Sequence, residues 1–186
     1  SSKLNKIAMD RLHLEADLRR AIEREEFIPY FQPKVCFKTG VIAGAEALVR
    51  WQRSDGDLIS PGIFIPMAEQ LGLISKIGDT VLRQSCHQAT RWMKAGHDCK
   101  VAVNVSPLQF EESDFSEKVL SALRDADLPP GRLELEITET MAVADTDRVS
   151  EIMRPLRAMG VRLAIDDFGA GHSNLVTLTR LPFDVF

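Results

Sequence analysis

The sequence has few of the features that mark secreted, membrane-spanning or polymer-binding proteins. Its three cysteines, Cys36, Cys86 and Cys99, are odd in number and form no CxxC pair, which indicates reduced thiols rather than a disulfide framework or a zinc site. No uninterrupted apolar run approaches the length of a membrane span. The net charge of −4 supplies no excess of basic groups, which argues against a nucleic-acid polymer as the main partner. We therefore predict a cytoplasmic location, and a membrane anchor in another domain of the native protein stays open.

The composition is that of an ordinary globular protein. With 186 residues, of which 45% are hydrophobic and 27% charged, the chain can build one domain with a substantial core. Residues 1–25 carry apolar side chains at helical spacing, including Leu14, Leu18 and Ile22, which predicts an amphipathic linker helix. Residues 26–186 are predicted to form the domain proper.

Strands and helices are predicted to alternate along this domain. Residues 27–35 and 41–51 are β-branched and aromatic runs joined by a short turn at Gly40, so they should pair as an antiparallel hairpin. Further strands are predicted at residues 100–106, 133–138 and 161–167, and another begins at Phe183. A helix between them is predicted to be capped by Ser75 and stopped by Gly96.

Polar residues lie at the ends of several of these strands, and no glycine-rich phosphate loop follows the first strand. This distribution favours a closed α/β barrel of the TIM type over an open doubly wound sheet. Oxygen ligands converging at one end would suit Mg²⁺ or Mn²⁺, and the adjacent acids could bridge two ions. The candidate metal ligands are Glu46, Asn104, Glu136, Asp166 and Asp167.

Each of these residues also has an ordinary interpretation when taken alone. Glu46 and Glu136 could be salt-bridged strand residues, and Asn104 could be a strand-end hydrogen-bonding group. Arg50 shares a strand face with Glu46, so it could hold a phosphate or simply pair with Glu46. Only the convergence of the whole set favours a metal site.

Six ordered motifs carry a resemblance to a known family. They are FQP at residues 31–33, EALVR at 46–50, FIP at 64–66, VNVS at 103–106, EITE at 136–139 and DDFGAG at 166–171. In this order they closely resemble the EAL family of cyclic-di-GMP phosphodiesterases, and the resemblance extends from about residue 17 to the end of the chain.

The resemblance implies a TIM-like (β/α)8 barrel with an antiparallel first strand, and hydrolysis of cyclic di-GMP to linear pGpG. It implies two bound Mg²⁺ or Mn²⁺ ions, with Ca²⁺ inhibitory, and it marks as metal ligands the same residues that are listed above. Among these, Glu46, Asp166 and Asp167 would take part in catalysis. It further implies a homodimer and an upstream regulatory or diguanylate-cyclase-like domain.

The same resemblance implies roles outside the metal site. Gln32, Arg50 and the backbone near Leu48 would hold the dinucleotide. Glu139 would order the loop at residues 169–174 instead of binding metal. The family usually has Tyr where His172 stands, and we interpret His172 as a tolerated variation.

The barrel is expected to be incomplete at Phe186. Such barrels have eight strands in about 250 residues, and here six strands are predicted. The family pattern places a Lys-Ile-Asp motif and a further Glu beyond this point. We therefore expect the C-terminal strands to be missing from this chain, and a polypeptide that ends at Phe186 to be inactive.

Two alternatives to this enzyme remain. A degenerate EAL domain would bind cyclic di-GMP as a receptor or regulatory module without cleaving it. Such domains usually lose the signature Glu or one of the paired Asp residues, and this sequence retains Glu46, Asp166 and Asp167. The other alternative is a metal-dependent barrel hydrolase that acts on a different phosphate ester.

Overall fold

A computed structural model describes residues 14–144, 146–166, 181, 183 and 184 of the chain. The predictions for residues 1–13 of the linker helix, for Asp167, and for the loop at residues 169–174 with His172 lie outside the described residues. Everything that follows concerns the described part.

Helices and strands alternate after an initial hairpin, as the sequence predicts. In chain order the elements are α1 (described over residues 14–23), β1 (Phe27–Val35), β2 (Ile42–Gln52), β3 (Leu58–Ile59), α2 (Pro61–Gln70), α3 (Ile74–Lys94), β4 (Lys100–Asn104), α4 (Pro107–Phe110), α5 (Phe115–Ala126), a 3₁₀ turn (Pro130–Arg132), β5 (Leu133–Thr138), α6 (Glu139–Ala144), α7 (Thr146–Ala158) and β6 (Arg162–Asp166). None of the described helices is long and apolar enough to cross a membrane.

The strands form one sheet in the order β1-β2-β4-β5-β6, with the short β3 paired to β2. β1 runs antiparallel to β2, whereas β2, β4, β5 and β6 are parallel to one another. The turn between β1 and β2 is too short for a parallel crossover, and helices make the crossovers between the later strands. This is a TIM-like arrangement with an antiparallel first strand, which confirms the predicted fold class.

Strand alternation gives the sheet an apolar face and a polar face. The apolar face packs against the helices, and its fully buried side chains include Val101, Leu133, Leu135, Ile137 and Leu163. The intervening residues of the same strands point to the opposite face, which is the interior of a barrel. That interior face carries the polar residues of the predicted site.

Two local predictions were wrong in their boundaries. α3 begins at Ile74, so Ser75 lies inside the helix instead of capping it. The burial of Ile74 and Ile77 accounts for the earlier start. β4 ends at Asn104, and Ser106 instead caps the short helix α4, where its hydroxyl accepts a hydrogen bond from Gln109 N at 3.2 Å.

An aromatic cluster fixes the carboxyl end of β2. The Phe27 ring lies 5.5 Å from Trp51 and 5.3 Å from Phe64, and Trp51 meets Phe64 edge to face at 6.0 Å. The indole N–H of Trp51 donates to a carboxylate oxygen of Glu26 at 2.9 Å. These contacts tie β1, β2 and α2 together directly after the EALVR segment.

Candidate metal and substrate site

The predicted ligands on four different strands lie on one face of the sheet. Glu46 is in β2, Asn104 ends β4, Glu136 is in β5 and Asp166 ends β6. Asn104 is the direct register partner of Glu136 across the parallel β4–β5 pair. Because parallel strands end at the same edge of the sheet, the fold gathers these side chains from distant parts of the sequence.

Asn104 and Glu46 are joined directly. The Asn104 amide Nδ2 donates a hydrogen bond to Glu46 Oε1 at 2.8 Å. Glu46 is half-buried, while Asn104 is exposed at the strand end. The contact fixes the orientation of both side chains across the 58 residues that separate them.

Glu136 is the most buried of these four residues, with 7% of its surface exposed. Burial raises the pKa of its carboxyl group, the ammonium group of Lys34 lowers it, and the negative charges of Glu46 and Asp166 raise it further, so the net direction is upward. Its Oε1 accepts a hydrogen bond from Lys34 Nζ, and its Oε2 is buried without a partner among the described residues. Glu136 therefore lies between one ammonium group and two carboxylates, with one oxygen that has no partner among the described residues.

Lys34 was not identified as a site residue from the sequence. Besides Glu136, its Nζ contacts Glu134 Oε1 at 3.3 Å, and Arg162 Nε contacts Glu134 Oε2 at 3.3 Å. Burial lowers the pKa of Lys34, but the hydrogen bonds and charges of Glu136 and Glu134 outweigh burial and leave it raised. The alternation of β1 places Lys34 on the same face as Gln32, yet nothing in the sequence indicates that it reaches β5.

The donor set fits a hard divalent cation. Carboxylate and carboxamide oxygens are the ligands that such cations prefer, and the unpartnered Glu136 Oε2 is a buried acceptor of the kind that a cation would satisfy. Within the described ranges, however, no three His, Cys, Asp or Glu side chains form a ready-made metal site. The described carboxylates lie on one face of the sheet, but their oxygen atoms do not meet at a single point.

The residues predicted to hold the substrate lie beside this set. Gln32 is the register partner of Glu46 across the hairpin. Arg50 donates from Nη1 to the Val49 carbonyl at 2.8 Å and lies 5.7 Å from the Tyr30 ring centroid. Among the described residues no ion pair joins Arg50 to Glu46.

A cavity of about 300 Å³ opens next to the candidate ligands. Leu48, Arg50, Asn104 and Thr138 contribute to its lining. Glu69 of α2 and the apolar α3 residues Ile74, Ile77 and Val81 line it as well. A space that joins apolar walls to a few polar groups is typical of small-molecule sites. Residues 47–50 and Asn104 therefore share this cavity, whereas Glu46, Glu136 and Asp166 are not among its lining residues.

Glu139 lies just past the metal-type residues, as the first residue of α6. It is buried, with 5% exposure, and a buried carboxylate requires polar or charged surroundings. The preceding Thr138 hydroxyl accepts a hydrogen bond from Met141 N at 3.4 Å, which helps to start the helix. Glu139 is thus held inside the fold at the junction of β5 and α6.

Comparisons with known proteins agree with this geometry. A family profile described as "EAL domain" matches residues 15–186. The chain is 44% identical over 182 residues to the bifunctional diguanylate cyclase/cyclic di-GMP phosphodiesterase MucR of Pseudomonas aeruginosa. The matched segment covers 97% of this chain and 27% of MucR. It spans 26% and 21% of the length of two other curated relatives, from Synechocystis and Caulobacter vibrioides.

Solved structures show the same likeness. The PaMucR phosphodiesterase in complex with c-di-GMP matches with a TM-score of 0.88 at 45% identity, covering 92% of this chain and 70% of that one. The EAL domain of FimX from Pseudomonas aeruginosa, bound to c-di-GMP, matches with a TM-score of 0.82 at 25% identity, covering 91% of this chain and 68% of that one.

Proposed function

This chain belongs to the EAL domain family, and from that premise we propose that it hydrolyses one phosphodiester bond of cyclic di-GMP to give linear pGpG. The observation that carries the proposal is the placement of Glu46, Asn104, Glu136 and Asp166 on one face at the carboxyl edge of the sheet. The similarity to MucR, which is described as a cyclic di-GMP phosphodiesterase, supports the same substrate.

In this proposal Glu46, Asn104, Glu136, Asp166 and Asp167 hold two Mg²⁺ or Mn²⁺ ions. When bound, such ions supply an acidified water and neutralise charge on the phosphoryl oxygens. Asn104 holds Glu46 in position through their hydrogen bond. The low exposure of Glu136 keeps its carboxylate out of bulk water, so its charge acts strongly on whatever binds beside it.

The remaining residues of the site position the substrate. Arg50 brings a positive charge to the cavity wall, where it can bind a phosphate of the dinucleotide. Leu48 offers an apolar surface of the same cavity, and Gln32 brings an exposed amide beside Glu46. Holding both ends of the scissile bond in one orientation is itself a large part of the rate enhancement expected of such an enzyme.

The direct test is turnover of cyclic di-GMP by the full-length protein with Mg²⁺ or Mn²⁺. We expect pGpG as the product, strong preference over cyclic AMP and cyclic GMP, and poor turnover when Ca²⁺ replaces Mg²⁺ at equal concentration. Calcium binds its ligands at longer distances than magnesium does. Because the charge of Ca²⁺ lies farther from a bound water, Ca²⁺ acidifies that water less than Mg²⁺. Equal hydrolysis of the cyclic mononucleotides would contradict the assignment and favour a different phosphate ester.

A second candidate is a cyclic-di-GMP receptor that does not cleave its ligand. The observation in its favour is the similarity to the FimX EAL domain, whose structure contains bound c-di-GMP. A single measurement, the fate of bound cyclic di-GMP, distinguishes the two candidates. A receptor would bind cyclic di-GMP in equilibrium dialysis and release it unchanged, whereas the proposed enzyme converts it to pGpG.

We propose that Glu139 orders the segment that follows Asp166. Glu139→Gln keeps the size of this buried side chain and removes its charge, so it should lower kcat by about 10-fold to 100-fold, the range typical of residues that support metal ligands. Mn²⁺ affinity, measured by calorimetry, should change much less than kcat, because the proposed metal ligands stay in place. Unchanged kcat would reduce Glu139 to a structural acid.

A regulatory domain elsewhere in the whole protein is also part of the proposal. MucR is described as bifunctional, with a diguanylate cyclase activity beside the phosphodiesterase. An upstream domain of that kind would supply the input signal to this one. Dimerisation stays a prediction, to be measured by sedimentation of the full-length protein.

A further inference from the structure

Lys34 crosses the interior of the sheet to reach its partners. It belongs to β1, whereas Glu134 and Glu136 belong to β5, and β2 and β4 lie between these strands. Gly44, which has no side chain, is the register partner of Lys34 on β2. On β4 Gly44 is paired with Lys100, and Ala102 lies two residues further along, opposite Glu46.

Gly44 is required by its own surroundings. A Cβ atom at this position would come within 2.8 Å of the Lys100 carbonyl oxygen, a distance that backbone atoms cannot easily relieve. The missing side chain at Gly44 leaves room next to Lys34, whose ammonium group reaches Glu134 and Glu136 on β5.

Lys34 and a bound metal would use the same carboxylate. The Lys34 ammonium group is hydrogen bonded to Glu136 Oε1, while Glu136 Oε2 has no partner among the described residues. We propose that Lys34 is an internal counter-cation that competes with the divalent metal for Glu136 and so lowers the metal affinity of the site. This inference rests on the proposed function, in which Glu136 is a metal ligand.

The charges explain why such a competitor is useful. Glu46 and Asp166 each interact unfavourably with Glu136, and Glu134 adds a further negative group on the same face. In the metal-free protein Lys34 offsets this repulsion at Glu136 and Glu134 together. When a dication binds, Lys34 becomes a like charge close to it, which weakens binding.

Arg162 provides a matched control within the same network. It is a cation on the same face, and its contact is with Glu134 Oε2 instead of Glu136. Removing Arg162 takes away a positive charge without freeing the proposed ligand. A difference between the two cations therefore separates direct competition at Glu136 from a general effect of net charge.

The test is the Mn²⁺ affinity of the full-length protein, measured by isothermal titration calorimetry. Only the Mn²⁺ binding that is absent in Glu136→Gln is assigned to this site. We expect Lys34→Met to bind Mn²⁺ about tenfold more tightly than the wild type. Its metal-free melting temperature should fall and its rise on Mn²⁺ addition should exceed that of the wild type. Arg162→Met should change Mn²⁺ affinity by less than about threefold, because it leaves the Glu136 contact intact.

A merely structural lysine gives a different pattern. Weaker or unchanged Mn²⁺ binding in Lys34→Met, or equal tightening in Arg162→Met, would overturn the proposal. If Lys34→Met does not fold, Lys34→Gln keeps a hydrogen-bond donor without the charge and must also bind Mn²⁺ more tightly. A wild-type protein with no Glu136-dependent Mn²⁺ binding would overturn the proposed metal site, and this inference with it.

Discussion

Glu136→Gln is expected to lower cyclic di-GMP turnover by at least about 100-fold, since loss of groups that merely support a ligand already costs 10–100-fold. The variant should also lose Mn²⁺ binding in calorimetry. Glutamine keeps the shape of the side chain and one acceptor oxygen, but it removes the charge that would hold a dication. Because burial already disfavours the charged form, as the raised pKa of Glu136 indicates, the fold should tolerate the neutral side chain.

Glu134→Gln is the matched control for this prediction. Glu134 lies two residues earlier on β5, on the same face, and it also contacts Lys34. It is farther from the carboxyl end of the strand and is not among the proposed ligands. We expect this variant to keep Mn²⁺ binding and most of its turnover. Full activity in Glu136→Gln, or equal losses in both variants, would remove Glu136 from the ligand set.

Phe64→Ala is expected to destabilise the domain by about 3–5 kcal/mol, the usual cost of removing a buried phenyl ring. Phe64 is fully buried and contacts both Phe27 and Trp51, so its loss leaves a cavity at the junction of α2 with the hairpin. Hydrogen exchange followed by mass spectrometry should show the loss of protection in peptides from β1 and β2. Urea unfolding followed by tryptophan fluorescence gives the free energy.

The neighbouring residue provides the control. Ile63 precedes Phe64 in the same helix, but 58% of its surface is exposed, so Ile63→Ala should change stability by no more than about 0.5 kcal/mol. The aromatic cluster follows the EALVR segment directly, and it packs α2 against the hairpin. A Phe64→Ala protein as stable as the wild type would show that the cluster does not support the site.

The elements that the sequence predicted well are those defined by local patterns. β1 and β5 have the predicted boundaries because apolar and polar residues alternate along them between clear breaks. The same alternation placed Glu46, Asn104, Glu136 and Asp166 on one face. Element ends were predicted less well, because burial of Ile74 determined the start of α3 more strongly than the capping preference of Ser75.

The sequence by itself determined the family, the strand order after the hairpin and the face on which the candidate ligands lie. Each of these depends on motif order or on the two-residue period of a strand. Only the tertiary structure decided that Lys34 meets Glu136 across 102 residues and that Arg50 lies against Tyr30 instead of pairing with Glu46. Such contacts depend on how distant strands are placed relative to one another in the folded sheet. Alternation along one strand specifies the face on which a side chain lies, but not the distance to residues of other strands.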